Sequence, residues 1–250
     1  MVHDAKSDEQ HATSSCLMLY PGATKPPFQW AARLPLSWAY IETHPAHWKV
    51  QIERVIDEYY GPFKLKRAEQ KLVREQLERM VAMAQEQKVL LLLALPGAME
   101  DGTVSACTLV VKWHNFPGKN VSMALVDEAY RRRGGYERRT TPHGAGYGFF
   151  EEEIRIGTAL EPKKAWNCQA ILPIVGTSWL VMASGTAPDK EHGEMVEPVV
   201  LRFIESIRAY QDRQGLLTAD EDIDVGDVGM LMGNGNEVMI SQAVELHQVR

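Results

Sequence analysis

KAWNCQAILPIVGTSWLVMASGTAPDKEHGEMVEPVVLRFIESIRAYQ, residues 164–211, is the stretch that decides the fold class. Two apolar runs, 165–175 and 177–184, meet at Gly176. Glycine accepts the positive φ of a tight turn, so Gly-Thr between runs rich in Ile, Val, Leu and Trp predicts a β-hairpin. A break at Thr186-Ala187-Pro188-Asp189 follows. Beyond it Met195, Val196, Val199, Val200, Phe203, Ile204 and Ile207 recur at spacings of three and four, which puts them on one face of a helix. A hairpin followed by an amphipathic helix is a sheet edge with its own cover.

Upstream the same kinds of element recur. Residues 28–34 and 37–41 read as a first strand and its continuation, flanking Pro35. Trp48, Ile52, Val55, Ile56 and Tyr59 carry helical spacing after Pro45, and Gly61-Pro62 ends that helix. A second helix, about 66–87, has Leu72, Val73, Leu77, Met80, Val81 and Ala84 on its stripe and alternating charges elsewhere. The run 88–95 is apolar at nearly every position, as a central strand covered on both faces would be. Its partner is 103–113. A short helix over 121–133 stops at Gly134-Gly135, and 136–141 with 147–156 form a charged hairpin around PHGAG. Strict βα alternation is absent, which argues against a doubly wound parallel sheet. The expectation is an α+β fold: one antiparallel β-sheet covered by helices on both faces, an α/β/α sandwich.

The domain plan is a flexible N-terminal segment 1–27, a single domain 28–214, and a tail 215–250. Within the first segment, Cys16-Leu-Met-Leu-Tyr20 is an apolar burst suited to an edge strand or a docking segment. The net charge of −6 belongs to the tail: from Gly215 onward there are seven acids against Arg250 alone. The acidic stretch 220–227 reads as a solvated linker. Beyond it, Val228-Gly-Met-Leu-Met232 and Glu237-Val-Met-Ile-Ser241 flank Gly233-Asn-Gly-Asn236, a hairpin pattern. A lone hairpin is marginal in water, so Met230, Met232 and Met239 must pack on the chain's own body, on a partner, or on a second subunit.

Several functions lack their residues. Residues 1–214 are charge-balanced, so no general field for nucleic acid or an anionic membrane exists. The three cysteines, Cys16, Cys107 and Cys168, are isolated, which points to a reducing compartment. The N-terminus lacks the basic and apolar regions of a signal peptide, and the longest apolar run, Val89 to Leu95, is too short to span a bilayer. A soluble cytoplasmic protein, without membrane insertion, is expected. No Walker loop, G-x-G-x-x-G or G-x-S-x-G is present. Asp220, Asp222 and Asp224 approach a calcium loop, but Val225 holds its glycine slot and Leu231 its terminal acid slot. His44 and His47 lack an H-E-x-x-H context, and Asp189 with His192 lacks an activated nucleophile nearby in sequence. No cofactor or metal is expected. Arg131, Arg132, Arg133, Arg138 and Arg139 form the one basic cluster. Three consecutive helical positions splay over about 200°, so they make no single stripe. Pairing with Glu151, Glu152 and Glu153 across the hairpin competes with a site for an acidic partner.

The order of elements resembles the PsbP-like superfamily, which includes the Ran-binding Mog-type proteins, bacterial lipoproteins and secretion chaperones. The resemblance covers about residues 28–211. It lies in Leu34-Pro-Leu-Ser-Trp38, in the strand pair 165–184, and in the step from Thr186-Ala-Pro-Asp189 to Phe203-Ile-Glu-Ser-Ile207. It implies an antiparallel α/β/α sandwich that binds proteins and has no shared catalytic set. The functional expectation is therefore a non-enzymatic protein-binding module: an adaptor, secretion chaperone or immunity-type protein. The alternative is a small-molecule enzyme whose site assembles from residues distant in sequence. Candidate partner-binding residues are the five arginines with Met230, Met232 and Met239. A homodimer through the C-terminal tail is a further expectation.

Overall fold

The computed structural model describes residues 14–35, 37–98, 104–157, 162–210, 228–234 and 237–242. In chain order it has β1 (Ser14–Met18), β2 (Gln29–Pro35), β3 (Ala39–Tyr40), α1 (Trp48–Val55), α2 (Arg67–Glu86), β4 (Leu91–Ala98) and β5 (Val104–Asn115). Then come α3 (Met123–Tyr130), β6 (Glu137–Thr140), β7 (Gly146–Gly157), β8 (Pro162–Pro173), β9 (Trp179–Ala187), α4 (Lys190–Ser206), β10 (Arg208–Tyr210), β11 (Val228–Asn234) and β12 (Glu237–Gln242). The fold is α+β and the sheets are antiparallel throughout.

The hairpin that opens the sequence argument is β8–β9. Gly176 has φ 82°, and Ile174 N–H donates to the Trp179 carbonyl at 2.9 Å beside it. This pair lies in a seven-stranded sheet of order β3-β4-β5-β9-β8-β7-β6. Alternate residues of its strands serve different clusters, as the two-residue period of a strand requires. Leu91 and Leu93 of β4 pack with Val196, Val200 and Phe203 of α4. Leu92 and Ala94 pack with Ile52 and Val55 of α1 and Leu77 and Val81 of α2. Farther across the sheet, Phe150 of β7, Ile171 of β8 and Leu180 of β9 pack with Val126 of α3.

Two residues assigned to apolar helix faces lie outside them. Leu72 is 57% exposed and Met195 is 54% exposed. Each sits one residue, about 100° of helical turn, from the buried Val73 or Val196, so only the narrow seam against the sheet is covered.

A second sheet was not part of the expectation. Residues 28–34 and 37–41 do not continue one another: β2 and β3 enter different sheets. The five-stranded sheet has order β1-β11-β12-β2-β10. Its β2 places Trp30, Ala32 and Leu34 in the same cluster as α4, and Trp30 lies 5.6 Å from the Trp113 ring of β5. The burst at 16–20 supplies β1, and Leu19 just beyond it is fully buried.

The hairpin at 228–242 forms, with Met232 opposite Met239. It docks on its own chain: β11 pairs with β1, and β12 pairs with β2 along Glu237–Gln242. Met239 stands opposite Arg33, and Met230 opposite Cys16. Both strands are thereby flanked on both sides within the chain. The linker 220–227, with the near-calcium pattern, lies outside the described residues. No helix among the described residues is long and apolar enough to cross a membrane.

Candidate functional site

The helix α3 follows Ser122 and rests on the sheet through Val126, which is fully buried. Tyr130 at its end stacks on Phe150 with 5.5 Å between ring centroids. Eight residues cover only part of this face. A groove of about 440 Å³ remains between α3 and strands β5 and β9, lined by His114, Phe116, Lys119, Leu125, Glu128 and Met182 among others. Its floor is apolar and its rim carries the polar groups. Burial, with Lys112 second, holds the His114 imidazole below its usual pKa, so it lies in the groove neutral at pH 7.

The basic cluster divides beside this groove. Arg133 pairs with Glu152 at 2.5 Å and lies 5.0 Å over the Phe150 ring. Arg138 reaches Asp127 at 3.6 Å, and Tyr136 O–H donates to the same carboxylate at 2.6 Å. Arg139 bridges Glu137 at 3.0 Å and Glu197 of α4 at 3.3 Å, with its guanidinium 4.0 Å over Phe149. Burial alone would lower the Arg139 pKa, but its hydrogen bonds to Glu137 and Glu197 carry it upward. These three arginines tie the end of α3 to β7, and β6 to α3 and to α4. Arg131 and Arg132, in the turn that closes α3, are exposed and have no ion-pair partner among the described residues. The basic cluster is thus three structural groups and two available ones.

Two further polar constellations lie where α4 meets the sheet. Glu151 of β7 lies near Glu197 and the Trp166 indole. Burial first, then the Glu197 charge, pushes the Glu151 carboxyl upward. Near the start of α4, Asp189 accepts from the His192 backbone N–H at 2.9 Å and contacts His192 Nδ1 at 2.8 Å. A cavity of about 200 Å³ brings His192 together with Cys107, Leu95, Pro188 and Met195. The structure thus supplies near Asp189 and His192 the thiol that is remote in sequence. Burial, followed by the Asp189 charge, pushes that thiol up to about 11, so it is protonated at neutral pH and a poor nucleophile. Burial likewise raises Cys168 to about 12. Among the described residues no group of three His, Cys, Asp or Glu could hold a metal ion. His44 and His47 lie with ring centroids 4.9 Å apart and planes tilted by 37°.

The groove residues had no signal in the sequence, because they come from β5, α3, β9 and the connection after β5. Nothing short of the fold brings His114 to Leu125 or Met182. The chain matches no protein-family model, and no curated protein matches it.

Proposed function

We propose that the chain is a non-enzymatic protein-binding module whose α3 groove receives a segment of another protein. The observation that carries this reading is an open apolar groove lined by Tyr130, with two exposed arginines, 131 and 132, next in the chain and without acidic partners among the described residues. Apolar grooves take apolar anchors, and exposed arginines that follow in the chain select acidic neighbours on the partner. The resemblance to the PsbP-like superfamily supports the same class, with adaptor, secretion chaperone or immunity-type roles inside it. The isolated cysteines favour a cytoplasmic setting. An enzyme at the Cys107 cavity is the weaker alternative, because a thiol with a raised pKa lacks an activating cation.

The test is capture of partners from the native host by wild type, Leu125→Glu and the double variant Arg131→Glu/Arg132→Glu. Leu125 is half-buried, so its replacement alters the groove without emptying the core, and melting curves verify folding. The groove variant loses the partner captured by wild type. The arginine variant weakens capture, and wild-type capture falls with added salt. Capture indifferent to both variants and to salt would overturn the proposal.

A further inference from the structure

Beyond Phe149, the strand β7 has an outer edge that no other strand among the described residues covers. β8 pairs with it from Gly148 to Gly157, whereas β6 pairs only with Gly146–Phe149. β9 leaves β8 at Trp166, so beyond Glu153 the two strands β7 and β8 run on as a ribbon. Gly135 marks which way the backbone of β7 points. A Cβ on Gly135 would stand 3.4 Å from the Glu151 carbonyl oxygen and 3.9 Å from its nitrogen. Both polar groups of Glu151 therefore face the β6 side. Backbone groups alternate in direction along a strand, so Glu153 and Arg155 turn theirs to that same edge. No strand among the described residues pairs with them there. Glu153, Arg155 and Ile156 are exposed, Ile156 at 42%.

We propose that this edge of β7 pairs antiparallel with the same edge of a second copy of the chain, about a two-fold axis at Ile154. The charges select both the occupant and the register. Arg155 stands directly opposite Lys164 of its own chain, a like-charge pair. Lys164 takes the Glu153 carboxylate at 2.8 Å, and Arg155 has no acidic partner among the described residues. An axis at Ile154 sets Arg155 of each copy opposite Glu153 of the other, twice by symmetry. An axis at Glu153 or at Arg155 would oppose like charges, and an axis at Glu152 would set Glu151 against Glu153. Odd shifts would put the side chains on mismatched faces.

In the selected register the two Glu153–Arg155 pairs are the hydrogen-bonded ones, since both residues face outward. Each pair exchanges two N–H···O bonds. Ile154 meets its counterpart at the closer, non-bonded position, with Ile156 diagonal to it on the same face. The product is one antiparallel sheet running through both copies. Such pairing is the general hazard or use of an open edge.

Sedimentation of the full chain across a concentration series tests the pairing. Wild type shows a monomer–dimer equilibrium. Arg155→Glu or Glu153→Arg alone weakens the dimer at least about tenfold, because each reversal acts at two contacts. The double variant Glu153→Arg/Arg155→Glu restores it. Glu153→Pro removes the outward N–H and one exposed ion pair to Lys164, so it melts close to wild type yet remains monomeric. A wild-type chain that is monomeric throughout, a dimer that survives Glu153→Pro, or a charge swap without rescue would overturn the proposal. So would a β7 edge that accepts another protein's strand while the chain alone stays monomeric.

Discussion

Glu151 of β7 lies against Glu197 of α4, near enough for the Glu197 charge to act on its carboxyl. Burial first, and then the Glu197 charge, raises the Glu151 carboxyl above its ordinary 4.5, so the folded chain keeps a proton there to higher pH. Arg139, Lys190 and the Trp166 indole also face the pair. The folded state binds this proton over a pH range in which the unfolded chain has lost it. The contribution to stability is therefore complete below about pH 4.5 and declines as pH rises through the raised folded value. Glu151→Gln is close in shape and cannot ionise. Its melting temperature is expected to decline less than wild type's between pH 5 and pH 8, measured by calorimetry.

Gly193 lies inside α4, where an ordinary glycine-to-alanine change stabilises by up to about 1 kcal/mol. Here the sign reverses. A Cβ at Gly193 would overlap the Trp166 ring, which packs directly on the helix backbone. Gly193→Ala is expected to lose about 1–3 kcal/mol in urea unfolding, the usual range for overpacking. Equal or greater stability would mean that the indole can move aside.

Asp189 caps α4 and holds the His192 ring. The His192 backbone N–H, foremost, keeps the Asp189 carboxyl below its ordinary 3.8. Its charged form thus favours folding above that pH, and the contribution is lost as pH falls through the lower folded value. Asp189→Ala is expected to cost about 1 kcal/mol at neutral pH, with the difference from wild type shrinking in acid. A pH-independent difference would show that the charge is irrelevant to the cap.

A chain ending at Gln214 lacks β11 and β12. It leaves β1 with no strand partner among the described residues and β2 with β10 alone. The shortened chain is expected to melt lower as a monomer. If it loses about 3 kcal/mol, the drop is roughly 6–12 °C. An unchanged melting temperature would show that the docked hairpin contributes little.

Much of the fold was legible locally. Gly176, the three-and-four spacing after Asp189, and the strand patterns flanking Gly233-Asn234 each act within a few residues. Local rules predict such elements, and the turn at Gly176, helix α4 and the paired strands β11 and β12 are present. The antiparallel α+β class followed from their order. The arginine cluster was visible as a cluster, but its division into Arg133, Arg138 and Arg139 with acids and Arg131 and Arg132 without them was not.

The sequence by itself determined most of the strands and helices, because periodicity and turn chemistry act over a few residues; it did not foresee β10 after α4, and it placed β1, a paired strand, inside the segment 1–27 expected to be flexible. Tertiary structure alone decided that β2 and β3 part into two sheets, and that the last hairpin inserts between β1 and β2. It alone brought His114, Leu125 and Met182 around one groove, and Cys107 to His192 around another. These partners are separated by long stretches of chain, and no local preference records which apolar face will meet which. That choice belongs to packing, where each face is buried by whichever surface fits it.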